Sequence, residues 1–238
     1  DATSTILSQV EDLLNEIMDI ATGSASSIVT SAERIAQAEQ IELLLGELVS
    51  LANTKHQNKF IFGGTHTLSG TSALPLAFNI QYDSDGCISG VVANGNVNTL
   101  IYTTVLPGTR DSVNISGAAA FQPNGAGESG DIFDIVVTLR RNLLNNDIDA
   151  IKASSTDLDN AYMNVVEQNT IVGAKINKLE VAQDTLEAIK TNETGAKSQV
   201  EDSDYAALLI EYQTAEVLLN ATLSATSSLL QNSLINFL

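Results

Sequence analysis

Ala52-Asn53-Thr54-Lys55-His56-Gln57-Asn58-Lys59-Phe60-Ile61-Phe62-Gly63-Gly64-Thr65 is the stretch in which the hydrophobic period of this sequence changes. Upstream of it apolar residues return every three or four positions: Ile6, Leu7, Val10, Leu13, Leu14, Ile17, Met18 and Ala21, then Ile28, Ala32, Ile35, Ala38, Ile41, Leu45, Leu48 and Ala52. That is the period of an amphipathic helix. The spacing predicts one helix that stops near Gly23 and a second of roughly 30 residues, about 45 Å long at 1.5 Å per residue. From Lys59 onward the period is two. Short apolar runs at 60–62, 78–82, 87–92, 100–106 and 113–115 are separated by Asp83-Ser84-Asp85-Gly86, Asn94-Gly95-Asn96 and Pro107-Gly108, the chemistry of hairpin and loop connections. All three prolines and 11 of the 15 glycines fall between Lys59 and Gly130, which predicts a small β unit inserted between helical arms.

Helical spacing returns at Asp131, with Ile132, Phe133, Ile135, Val136, Leu139, Leu143 and Leu144 apolar and Asn145-Asn146 as the stop. Leu158, Tyr162, Val165, Val172, Ile176, Leu179, Ala182, Leu186 and Ile189 then mark a long helix, with residues 192–195 as a plausible break. Beyond it Tyr205, Leu208, Leu209, Tyr212, Ala215, Leu219, Leu223, Leu230, Leu234, Phe237 and Leu238 form a narrow seam, and a heptad ladder at 209, 216, 223, 230 and 237 is interrupted only by Glu216. Narrow seams on long helices pack as coiled coils. The expected fold class is mainly α with β (α+β): an elongated antiparallel helical bundle or coiled-coil rod carrying an inserted small β domain. Its segments are expected at 1–57 (first arm), 58–128 (β domain), 129–200 (second arm) and 201–238 (C-terminal coiled-coil helix).

The 238 residues are 44% apolar, enough to bury a real core in one or two domains. Eleven Lys and Arg stand against 29 Asp and Glu, for a formal net charge of −18. That balance argues against nucleic acid or an anionic membrane surface as a partner. Cys87 is the only cysteine, so neither an internal disulfide nor a Cys-based zinc site fits within one chain. The uncharged stretch 217–238 is interrupted by ten Ser, Thr, Asn and Gln residues, too many polar groups for a spanning helix. It reads as a packing helix.

Few motifs carry chemistry. Gly125-Ala126-Gly127-Glu128-Ser129-Gly130 has the spacing of a dinucleotide fingerprint. A Rossmann unit, however, needs a strand just before that loop and a second parallel strand after the helix, whereas Pro123-Asn124 precedes it and a helical pattern follows. It reads as a linker returning from the β domain. Asp83-x-Asp85-Gly86 lacks the bidentate Glu of a calcium loop and reads as a hairpin turn. His56 and His66, without a third ligand nearby, suit surface or capping roles better than a metal. Cofactor, metal and catalytic residues are all expected to be none.

The motifs taken together resemble a family. Ala52-Asn53 with Phe60-Ile61-Phe62-Gly63-Gly64-Thr65, Asn114-Ile115-Ser116-Gly117 with Phe121, and Gly130-Asp131-Ile132-Phe133 are similar, in order, to segments of the hook-associated proteins of the flagellar hook-filament junction (FlgL type, hook-associated protein 3), within the flagellin superfamily. Gly173-Ala174-Lys175-Ile176-Asn177-Lys178-Leu179-Glu180, Val200-Glu201-Asp202-Ser203-Asp204-Tyr205-Ala206 and the terminal Ser233-Leu234-Ile235-Asn236-Phe237-Leu238 continue the resemblance. It implies a structural, non-enzymatic adaptor assembled as a ring of copies between a neighbouring hook-associated protein and filament-side flagellin. The resemblance further implies export through the flagellar secretion channel to the extracellular flagellum, with a cytoplasmic chaperone on the C-terminal region. The family's opening helix is missing here, so the chain is expected to be a fragment whose terminal seam has lost its mate. The readings that compete are filament flagellin and, further off, another secreted helical effector or translocator.

Overall fold

A computed structural model describes residues 2–65, 76–106 and 108–235. His66, Phe237 and Leu238 lie outside the described residues, and the side chains of Leu230 and Leu234 are likewise not described. The chain divides into two compact units, Asp1–Val181 and Ala182–Leu238.

The first unit opens with α1 (Ala2–Ser24) and α2 (Ser31–Ala52). The second helix is shorter than its apolar spacing predicts. Thr30 accepts the Glu33 backbone N–H while the Glu33 side chain takes the Thr30 N–H, a reciprocal capping box that starts the helix at Ser31. Ile28 is therefore in the preceding loop, 88% exposed, and Ala32 and Ile35 face solvent. In their place the buried face of α2 takes Arg34. Its guanidinium donates to the carbonyls of Ser24 (3.0 Å) and Ser26 (2.7 Å) and to Asn146 Oδ1 (2.5 Å). Three neutral acceptors thus hold a buried cation that stitches the α1–α2 loop to the loop before the last helix.

Among the described residues the β segment has three separate antiparallel pairs: β1 (Lys55–His56) with β2 (Lys59–Phe60), β3 (Phe78–Tyr82) with β4 (Ile88–Ala93), and β5 (Tyr102–Leu106) with β6 (Thr109–Ser112). The β3–β4 turn is built as its sequence predicts, with Asp83 Oδ1 accepting the N–H groups of Asp85 and Cys87 and Gly86 at φ 82°. Strand pairing is less extensive than expected. Ile61 and Phe62 leave the ladder as turn residues, and the run 113–115 is not a strand.

What replaces pairing is packing, and here the distant motifs meet. Phe62, Phe78, Phe121 and Phe133 are fully buried, with ring centroids 5.0 to 5.7 Å apart. Contacts of this kind add about 0.5–1.5 kcal/mol per pair beyond the area they bury. Gly117 lies so close to Phe62 that a Cβ there would collide with its carbonyl. Gly64 adopts φ 58° against the backbone of Asn96. Neither position has room for a side chain. Asn53, just past α2, exchanges two 2.9 Å bonds with the backbone of Phe78, completing the strand edge with a side-chain amide.

α3 (Gly117–Phe121) leads through the glycine-rich linker to α4 (Ile132–Leu144). The linker is not a dinucleotide loop: α3 precedes it rather than a strand, and the Gly127 N–H donates at 2.7 Å to Asp131 Oδ2. Asp131 caps α4 through the N–H groups of Phe133 and Asp134, and also accepts from Gln122 (2.9 Å). Burial pushes its carboxyl above the ordinary 3.8, with the donated hydrogen bonds pulling the other way.

α4 runs antiparallel to α2, as expected for a bundle: Arg34 meets Asn146, and further along Arg140 pairs with Glu42 at 3.1 Å. α5 (Ile148–Ile235) spans 88 residues. Its beginning packs into the first unit through Leu158, Ala161, Val165 and Val172, and Asn169 bonds Ser4, Ser8 and Glu11 of α1. Two expectations for this helix fail. Residues 192–195 do not break it, because one Gly costs only about 1 kcal/mol against Ala while the hydrogen-bond ladder continues through Gly195. Leu179, Leu186 and Ile189, whose apolar spacing predicts the packed face of this helix, are 41–45% exposed. Burial stops at Ala182.

Candidate assembly surface

The second unit is helix throughout its described residues, 182–235. Tyr205, Leu209, Tyr212, Leu219 and Leu223 recur at steps of four, three, seven and four along it, so they share one face. Each is 45–69% exposed, and Tyr205, Leu208, Leu209 and Tyr212 line a shallow apolar concavity. Leu230 and Leu234 continue the helix in register, and Phe237 and Leu238 fall beyond what the structure describes. From 183 to 229 every residue whose side chain is described is exposed.

The apolar surface is wider than the seam read from sequence. Ile210, Val217 and Leu218 are 66–69% exposed. At about 100° per residue, Ile210 and Val217 form a second line roughly 130° around the helix from the first. A heptad search for one face passes over them, although a search for two stripes would have found them. Eight carboxylates and two lysines share residues 182–238, and no base follows Lys197. The exposed terminal helix thus carries two apolar lines, the first of them interrupted by Glu216, with no charged side chain after that position. Among the described residues no group of His, Cys, Asp and Glu could hold a metal ion, and the surface leaves a large area of hydrocarbon to cover.

Residues 155–238 match the family model of the bacterial flagellin C-terminal helical region. Solved structures resemble the chain over more of its length. FlgL from Xanthomonas campestris superposes with a TM-score of 0.65 at 15% identity, covering 84% of this chain and 92% of that one. Flagellar hook-associated protein 3 from Legionella pneumophila gives 0.67 at 15% identity, covering 84% and 91%. The chain has the hook-associated protein 3 fold. A Legionella pneumophila structure described as the flagellar junction protein FlgL agrees, with a TM-score of 0.57 at 15% identity over 75% of this chain and 90% of that one. No curated protein matches the sequence. The hook-associated protein 3 fold accounts for the convergence of Asn53, Phe62, Gly64, Gly117, Phe121 and Phe133, residues drawn from the motifs that carried the resemblance. It also places the flagellin-like C-terminal region on the helix whose apolar lines are bare.

Proposed function

We propose that this chain is a structural, non-enzymatic adaptor joining the flagellar hook to the flagellin filament. The observation that carries this reading is the pairing of a hook-associated protein 3 fold with a flagellin-type C-terminal helix whose apolar face is exposed. Tyr205, Leu209, Tyr212, Leu219, Leu223, Leu230, Leu234, Phe237 and Leu238 are its assembly seam. Copies of the chain form a ring, with a hook-associated protein on one side and filament flagellin on the other. Before that, the protein leaves the cell through the flagellar secretion channel with a cytoplasmic chaperone covering the same seam. Segments 1–57, 129–200 and 201–238 serve as packing arms, and 58–128 is the inserted domain. Filament flagellin is the second reading, favoured by the match of residues 155–238.

A deletion strain separates the two. Loss of a junction adaptor leaves cells with hooks, no attached filament, and flagellin shed into the medium. Loss of the filament subunit leaves no flagellin to shed. Restoration of motility by the wild-type chain, but not by a helical and secreted Leu219→Asp variant, is the expected result. Unchanged motility in the deletion strain would overturn the adaptor reading.

A further inference from the structure

The β5–β6 hairpin is held to the helices in an unusual way. Its neighbours in sequence, Val97 and Ile115, are core residues 3% and 4% exposed, yet between 99 and 113 only Ser112 is buried among the described residues. Leu100, Tyr102 and Val113 face solvent. At the base Val113 donates to the Ile101 carbonyl (2.9 Å), and Asn114 closes the two ends by accepting from Ile101 N–H (2.7 Å) and donating to the Thr99 carbonyl (3.2 Å). These bonds join the hairpin to its own stem. Among the described residues, its polar ties to the helices come from one turn of α5: Lys175 Nζ donates to the Ser112 carbonyl (2.9 Å) and to its hydroxyl, and Lys178 Nζ pairs with Asp111.

A two-stranded ribbon is marginal in water by itself, and this one has little apolar burial to hold it down. We infer that the described hairpin residues, 100–106 and 108–113, form a flap, hinged at Thr99 and Asn114 and latched onto α5 by Lys175 and Lys178. The two halves of the latch differ. Lys175 is half-buried and bonds neutral oxygens, so it is insensitive to salt. The Lys178–Asp111 pair, with side chains 55% and 26% exposed, is open to screening. Asp111 is held below its ordinary value first by the Lys178 hydrogen bond, consistent with a formed pair. Undocking leaves two cations one turn apart on α5 without their partners, in a chain with only 11 bases against 29 acids.

Hydrogen exchange on the full chain reads this directly, with the amides of the hairpin followed against those of α4 as an internal reference. Lys175→Met should speed hairpin exchange by about tenfold or more, since it removes hydrogen bonds from a charged donor. Lys178→Met and Asp111→Asn should speed it by about two- to fivefold in low salt. Raising the wild type to about 1 M NaCl should reproduce the Lys178→Met rate, and the same salt should change Lys178→Met little. Two results would overturn the inference: unchanged hairpin protection in the Lys175→Met, Lys178→Met double variant, or faster exchange that spreads equally to α4. The second would mean the lysines support the bundle rather than a flap.

Discussion

Residues 148–181 and 182–235 of α5 belong to one unbroken helix and are built from the same residue types, yet they lie in different surroundings. In the first stretch Ile151, Leu158 and Val165 are fully buried and Val172 nearly so. In the second, Leu209, Leu219 and Leu223 are 45–60% exposed. Helix formation therefore does not report packing. The backbone ladder of the second stretch is closed within itself, whereas burial needs neighbours that the first unit supplies, among them α1, α3 and α4. The contrast separates two roles for leucine: the buried Leu158 stabilises the fold, and Leu209 leaves its side chain exposed.

The sharpest way to break this comparison is to truncate one leucine in each stretch and follow urea unfolding. Leu158→Ala should cost about 2–5 kcal/mol, the transfer term plus the cavity it leaves. Leu209→Ala should stay within about 0.5 kcal/mol in the isolated chain. Equal costs would mean that the second stretch has a partner within the chain. A smaller effect is expected where the exposed stretch relies on propensity alone. Gly195 has open space around the position of a Cβ, so Gly195→Ala should add about 1 kcal/mol of local helix stability. Slower amide exchange across residues 190–200, with the first unit unfolding at its wild-type urea midpoint, is the expected outcome. A shifted midpoint would couple the two stretches.

The smallest effect marks where the packed stretch ends, at Lys178 and Asp111. The Asp111 carboxyl is held below its ordinary 3.8 by the Lys178 hydrogen bond, then by the Ser112 N–H. Its folded value lies under its unfolded one, so the attraction is present above 3.8 and is lost as pH falls through the folded value. Hairpin amides, corrected for intrinsic rates, should keep their protection from neutral pH down to about 4 and lose some of it only in stronger acid. Loss beginning near pH 6 would point to another group.

Much of the fold was legible because local rules reported it. The Asp131 cap, the Asp83–Gly86 turn and the strand at 78–82 all appear where residue type and spacing put them. The Thr30–Glu33 capping box was equally legible and outranks the apolar spacing of Ile28 and Ala32. The apolar lines at Tyr205–Leu223 and at Ile210 and Val217 were also present in the sequence, although only the first is a heptad ladder.

Sequence by itself determined that this chain is mainly helical with a small β insertion, and that its last helix carries a narrow apolar seam, because periodicity reports which face of an element is apolar. It could not say what covers each face, since burial is a sum over elements far apart in the chain. Tertiary structure alone decided that Arg34 is buried, because its acceptors lie on two separate loops. It alone decided that Leu179 is half exposed, because the bundle ends near Ala182. It likewise brought Phe62, Gly117, Phe121 and Phe133 into one core with Asn53 at its edge, where Gly117 is required by the close approach of the Phe62 backbone, dozens of residues away in the sequence.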